Sequence, residues 1–119
     1  MSRFEITIVQ DGISRDRLSE LAADGFGDMV KAVVDVVRRR MAIGGELHSD
    51  EESALLDDGS RQSDLWGINI YPAENASQWI EFDSMINVRP AHGNRSRYVE
   101  DNTLQKSIVD IVNALVTDE

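Results

Sequence analysis

The chain has no cysteine and only two prolines in its 119 residues. Without thiols there is no disulfide, no thiolate zinc site and no cysteine nucleophile. No apolar run approaches the length of a spanning helix. The opening MSRFEITIVQDG holds no apolar leader core, so no membrane insertion or secretion signal is expected. Positive charge is scarce: 12 Lys and Arg stand against 22 Asp and Glu, a formal net charge of -10. That balance argues against nonspecific binding to nucleic acid or to an anionic membrane. These signs predict a soluble, cytoplasmic protein. Phosphate-cradling loops, dinucleotide fingerprints and G-x-S-x-G elbows are all missing, so no cofactor is expected. Low-complexity segments and internal repeats are missing as well. An apolar fraction of 41% suffices for a core, and the length suits one domain over residues 1–119.

The stretch Leu65 to Arg97 organises the rest. Trp66, Ile68 and Ile70 alternate with Gly67, Asn69 and Tyr71, the period of a half-buried strand. In the run after the turn-like PAENAS loop (72–77), Ile80, Phe82, Ile86 and Val88 share one face. Glu81, Asp83, Met85, Asn87 and Arg89 share the other. The two runs read as an antiparallel hairpin, each closed by a proline that has no N–H for a ladder. Trp79 falls on the polar face.

Phe4 to Val9 predicts a first strand. Ser14 is positioned to cap a helix that runs to about Ala23. Met29 to His48 predicts a second hairpin, because VKAVVDVV is rich in β-branched residues. A turn at Arg38–Arg39 would set Val37 opposite Arg40 and Lys31 opposite Glu46 as an ion pair. Val30, Ala32, Val34 and Val36 would then share a face with Met41, Ile43, Gly45 and Leu47. Ser49 with Glu52 has capping-box spacing for a short helix that Gly59 ends. Asp57 and Asp58 lie at its C-terminus, where the dipole favours a cationic neighbour. Asp101 caps a last helix with Leu104, Ile108, Ile111, Val112 and Leu115 at helical spacing. The expected fold is α+β: a single antiparallel sheet of about five strands, helices packed on one face, in the order β-α-β-β-α-β-β-α.

With these motifs laid out, the sequence resembles a family of small uncharacterised prokaryotic proteins, a domain of unknown function. The resemblance rests on VVDxxRxxMAIGGELHxD (Val33 to Asp50), DGSRQxDLWGINIYP (Asp58 to Pro72) and IEFDSMINVRPxxGNRSRxVED (Ile80 to Asp101). It implies no activity. Relatives carry Glu and Gly near Val37 and Arg39, and the VRRR stretch here departs from that turn.

Three candidate surfaces follow. The favoured one is a non-enzymatic binding surface on the polar sheet face and the following loop, made by Asn69, Asn87, Arg89, Asn94 and Arg95. Asn is depleted in strands, and its amide offers both donors and acceptors. Arg guanidinium groups grip carboxylate or phosphate in pairs of bonds. The partner would be a small anionic ligand or an acidic protein patch. The competing account has the Asn amides pinning loops and the arginines pairing with Glu81, Asp83, Asp57 or Asp58 of the same chain. A second candidate is a small hydrolase-like enzyme using His48 with Glu46 or Asp50, with or without a divalent metal. His48 as an ordinary strand-end hydrogen bonder competes with it. The third is an interface, a homodimer among its forms, through Arg38 to Arg40, Trp79 and Met85.

Overall fold

A computed structural model describes residues 4–118. Five strands form one antiparallel sheet in the spatial order β1-β4-β3-β5-β6: β1 (Thr7–Val9), β3 (Val30–Asp35), β4 (Arg40–Ile43), β5 (Leu65–Ile70) and β6 (Ile80–Glu81). Two further short strands, β2 (Ile13–Ser14) and β7 (Val116–Thr117), pair in parallel and tie the end of the chain to the start of α1 (Arg15–Asp24). The other helices are α2 (His48–Asp57) and α3 (Asn102–Leu115). The fold is the expected α+β arrangement, with the small parallel pair added.

Strand alternation sorts the core into two layers. Val30, Ala32, Val34, Met41, Ile43, Trp66, Ile68 and Ile70 point to one face. There Leu18 and Ala22 of α1 and Ile108, Ile111, Val112 and Leu115 of α3 pack against them. Val33, Ala42 and Leu65 point to the other face and pack on Leu55 of α2, with Ile6, Ile8 and Ile86 around them. The expectation that helices lie on one face therefore holds for α1 and α3, whereas α2 covers the opposite side. The reason is legible afterwards: Val33 and Ala42 break the polar pattern of the second face and need cover.

Ser14 caps α1 as expected, its hydroxyl accepting the Arg17 N–H at 3.0 Å. Asp101 caps α3 through the N–H groups of Thr103 and Leu104. The capping box at Ser49 does not form. The helix starts two residues earlier, with Leu47 at the N-cap and no side-chain cap bond. Glu51 turns inward instead and accepts the Gly45 N–H at 2.8 Å. A Cβ on Gly45 would sit 2.9 Å from Cγ of Glu51, so this contact requires glycine.

The β3–β4 register differs by two residues from the expected one. Asp35 faces Arg40 and Ala32 faces Ile43, so Lys31 does not meet Glu46; its cross-strand neighbour is Asn69 on β5. A shift of two keeps the side chains of β3 and β4 on their predicted faces, but β4 ends at Ile43, and Leu47, expected on the core face, is exposed at the N-cap of α2. The buried Asp35 carboxylate causes the shift. Its Oδ1 accepts the N–H groups of Val37 and Arg38, both at 2.9 Å, and its Oδ2 accepts the Ser60 hydroxyl at 2.6 Å. The turn thereby spans Val36 to Arg39, with Arg39 at φ 55°. Arg38 and Arg40 reach Asp58 at 3.4 and 3.2 Å, which supplies the cations that the end of α2 calls for.

The second strand of the last hairpin is short. Pairing between β5 and β6 covers only Asn69↔Glu81 and Ile70↔Ile80. Met85–Asn87 is a helical turn rather than a strand. Trp79 is also placed differently from expectation: it is buried in the main core with the Arg15 guanidinium 4.3 Å above its ring.

Candidate functional site

Beyond Glu81 the chain leaves the ladder, and one side chain takes over the pairing. Oδ1 of Asn87 accepts the Gly67 N–H at 2.8 Å, and its Nδ2 donates to the Gly67 carbonyl at 2.9 Å. The primary amide thus pairs with β5 as a peptide group of a neighbouring strand would. Gly67 permits the close approach, since a Cβ there would lie 2.5 Å from that of Ser84. Asn87 is fully buried.

The loop that follows is held by Asn94. Its Nδ2 lies 2.7 Å from the carbonyl of Asn87, 3.0 Å from that of Ser96 and 2.9 Å from that of Tyr98. Its Oδ1 accepts the Glu100 N–H. The peptide groups of Arg89 and Asn94 also bond to each other in both directions. Glu100 closes the loop from outside, its Oε2 accepting the N–H groups of Arg95 and Ser96 and the Ser96 hydroxyl. Those bonds hold its carboxyl below the usual range.

This scaffold sends the Arg89 side chain back to the start of β5. One terminal nitrogen, Nη2, donates to the Leu65 carbonyl and lies 3.5 Å from Oε2 of Glu52. The guanidinium stacks 4.7 Å from the Trp66 ring centre. The side chain is only 10% exposed, and its other terminal nitrogen, Nη1, is buried without an acceptor among the described residues. Burial lowers the Arg89 pKa from its ordinary value, and Glu52 opposes that. Beside it runs a groove of about 390 Å³, lined among others by Glu52, Gln62, Ser63, Met85, Val88 and His92. Met85 is 65% exposed there. Arg89 and the exposed Met85 and Val88 thus line one groove, a guanidinium beside an apolar wall.

The five predicted binding residues separate. Arg89 lies in the groove. Asn87 and Asn94 are buried and make the backbone bonds that shape it, and Arg95 is exposed on the outer loop. Asn69 lies on the sheet face, bonded through Nδ2 to Glu81. Of the other arginine in the loop, the Arg97 guanidinium is paired with Asp83 at 2.8 Å.

His48 is buried at the start of α2, its Nε2 2.8 Å from the Ile68 carbonyl. A carbonyl only accepts, so Nε2 carries the proton, and burial lowers the pKa and keeps the ring neutral. Glu46 and Asp50 are exposed. Among the described residues no group of three His, Cys, Asp or Glu side chains could hold a metal ion, and no helix is long and apolar enough to cross a membrane. The roles of two acidic residues were not legible in the sequence. Glu52 suggested only a cap. Asp35 suggested a carboxylate that could join His48 across the hairpin, whereas its hydroxyl partner, Ser60, lies twenty-five residues further on.

Fold and groove define an α+β protein built on one antiparallel sheet, with an arginine-based cleft where the last hairpin leaves the ladder. The chain belongs to the family described as "Protein of unknown function (DUF5674)", whose model matches residues 7–115. No curated protein and no solved structure matches it.

Proposed function

We propose that the protein is a binding module that takes a small carboxylate in the groove beside Arg89. The observation that carries this reading is the buried Nη1 of Arg89, which has no acceptor among the described residues. A carboxylate is the group that a guanidinium edge recognises best among small organic anions. Leu65, Trp66 and Glu52 hold the guanidinium in one orientation before any ligand arrives, which limits the ordering cost of binding. Met85 and Val88 offer apolar surface to a hydrocarbon tail. Asn87 and Asn94 serve the site by fixing the loop, and Arg95 adds an outer positive charge.

Calorimetric titration with straight-chain carboxylates of increasing length tests this. Affinity should rise along the series, by at most about 0.8 kcal/mol for each methylene buried. Met85→Glu sets a negative charge at the exposed wall and should abolish binding without moving the melting temperature. Absence of saturable binding, or equal binding by the Met85→Glu variant, contradicts the reading.

A further inference from the structure

A second polar site lies on the α2 side of the sheet, one row beyond Val33 and Gly67. Lys31, Asn69 and Glu81 are direct cross-strand neighbours there, on β3, β5 and β6. Asn69 is only 6% exposed. Its Nδ2 donates to Oε1 of Glu81 at 2.8 Å and approaches the Asp83 carbonyl at 3.3 Å. These acceptors settle the orientation of the amide, since a flipped group would set its oxygen against the carboxylate. The amide therefore keeps Nδ2, and not Oδ1, against Oε1 of Glu81. Oδ1 of Asn69 is buried and accepts no hydrogen bond from the described residues. A buried acceptor without a donor is costly and rare.

The obvious donor within the chain is engaged elsewhere. The Lys31 ammonium lies over the Phe26 ring, 5.3 Å from its centre. The neighbouring residues Glu81 and His48 offer further acceptors. Glu81 is exposed, and its Oε1 is held by Asn69 and by the Tyr71 hydroxyl at 3.1 Å. His48 bonds the carbonyl of the preceding residue, Ile68, through Nε2–H, so its Nδ1 keeps a lone pair. The cations nearest the row are engaged, Lys31 over the Phe26 ring and Arg97 on Asp83 at 2.8 Å, in a chain of formal charge -10 whose field draws further cations.

We propose that this row binds a primary ammonium group, which donates to Asn69 Oδ1 and to the Glu81 carboxylate beside the His48 ring. The flexible stem of Lys31 moves aside to admit it. The site is independent of the Arg89 groove: it prefers the opposite charge and uses none of the same side chains.

The test is an NMR titration of the full chain with methylammonium chloride, with tetramethylammonium chloride and sodium chloride in parallel. Tetramethylammonium carries the same charge and no N–H. Methylammonium alone should produce saturable shifts of the Asn69 side-chain amide and the His48 ring. Glu81→Gln, an exposed and isosteric change, should weaken that binding at least tenfold. Lys31→Met should strengthen it by removing the neighbouring ammonium. A capped lysine tripeptide, compared with methylammonium, separates a protein lysine from a small amine as the natural source. Equal shifts with tetramethylammonium or sodium overturn the proposal, as does binding that is unchanged in Glu81→Gln. So does a Lys31 ammonium found bonded to Asn69 Oδ1 in the free protein.

Discussion

Asn87 does the work of a strand. Its amide occupies both hydrogen-bonding groups of Gly67 and also donates to the Arg97 carbonyl at 3.0 Å. Asn87→Leu keeps the size and removes all three bonds. Unsatisfied buried groups cost about 1–3 kcal/mol each, so denaturant unfolding should show a loss of about 3 kcal/mol or more. A loss below about 1 kcal/mol would mean that water replaces the amide and that the loop is not built on it. Glu51 supplies a prediction of a different kind. Its carboxyl is fully buried, with Oε1 unbonded and Oε2 on the Gly45 N–H. Burial raises its pKa well above 4.5. An acid raised in the folded state holds its proton more tightly there than in the unfolded chain. Stability therefore falls as pH rises from about 4.5 through the folded pKa, and then levels off. Glu51→Gln retains the acceptor for Gly45 and has no charge to form. The variant should gain on the wild type as pH rises, a difference readable from parallel urea melts between about pH 4.5 and 8. A constant difference across that range would show that Glu51 titrates like a solvated acid.

At the scale of elements the turn between β3 and β4 is the strained one. Arg39 has φ 55°, in the left-handed region, where a residue with a Cβ gives up roughly 1 kcal/mol relative to glycine. Arg39→Gly should raise stability by about 0.5–1 kcal/mol, seen as a rise of a few degrees in melting temperature, and should leave the Arg38 and Arg40 pairs with Asp58 intact. A lower melting temperature would place the strain elsewhere. This turn also marks where the sequence stopped being legible. Alternation alone assigns Val30, Ala32, Val34, Met41 and Ile43 to one face, because side-chain parity survives a register shift of two. It does not reveal the register, which depends on the Asp35 carboxylate and its distant partner Ser60. The end helices were legible for a local reason: Ser14 and Asp101 cap within three residues of themselves. The capping box at Ser49 failed because a tertiary contact, Glu51 on Gly45, outweighed a local one. The hairpin pattern from Ile80 to Val88 misled because Ile86 does face a core, but from a helical turn. In the candidate site, Arg89 stood out by its residue type. The burial of Asn87 and Asn94 depended on pairings that a linear pattern does not contain.

At the scale of the whole molecule, charge and site oppose each other. A chain of formal charge -10 repels the small anion that the Arg89 groove is proposed to hold. The long-range repulsion is screened as the Debye length shrinks from about 30 Å at 0.01 M salt to about 8 Å at 0.15 M. The contact with a buried guanidinium is screened far less. Carboxylate association should therefore speed up as salt rises over that range, the reverse of a pair steered together by opposite charge. Stopped-flow measurements at several salt concentrations check this, and a slowing with salt would mean that local positive charge dominates the approach.

The central claim is that the unfilled donor of Arg89 is a carboxylate site, and one NMR experiment tests it most directly. The guanidinium nitrogens of ¹⁵N-arginine protein would be followed while hexanoate is added, in the wild type and in Met85→Glu. The account predicts saturable shifts confined to Arg89 and the neighbouring groove, lost in the variant. Shifts spread over all arginines in proportion to ionic strength, or persisting unchanged in Met85→Glu, would contradict it.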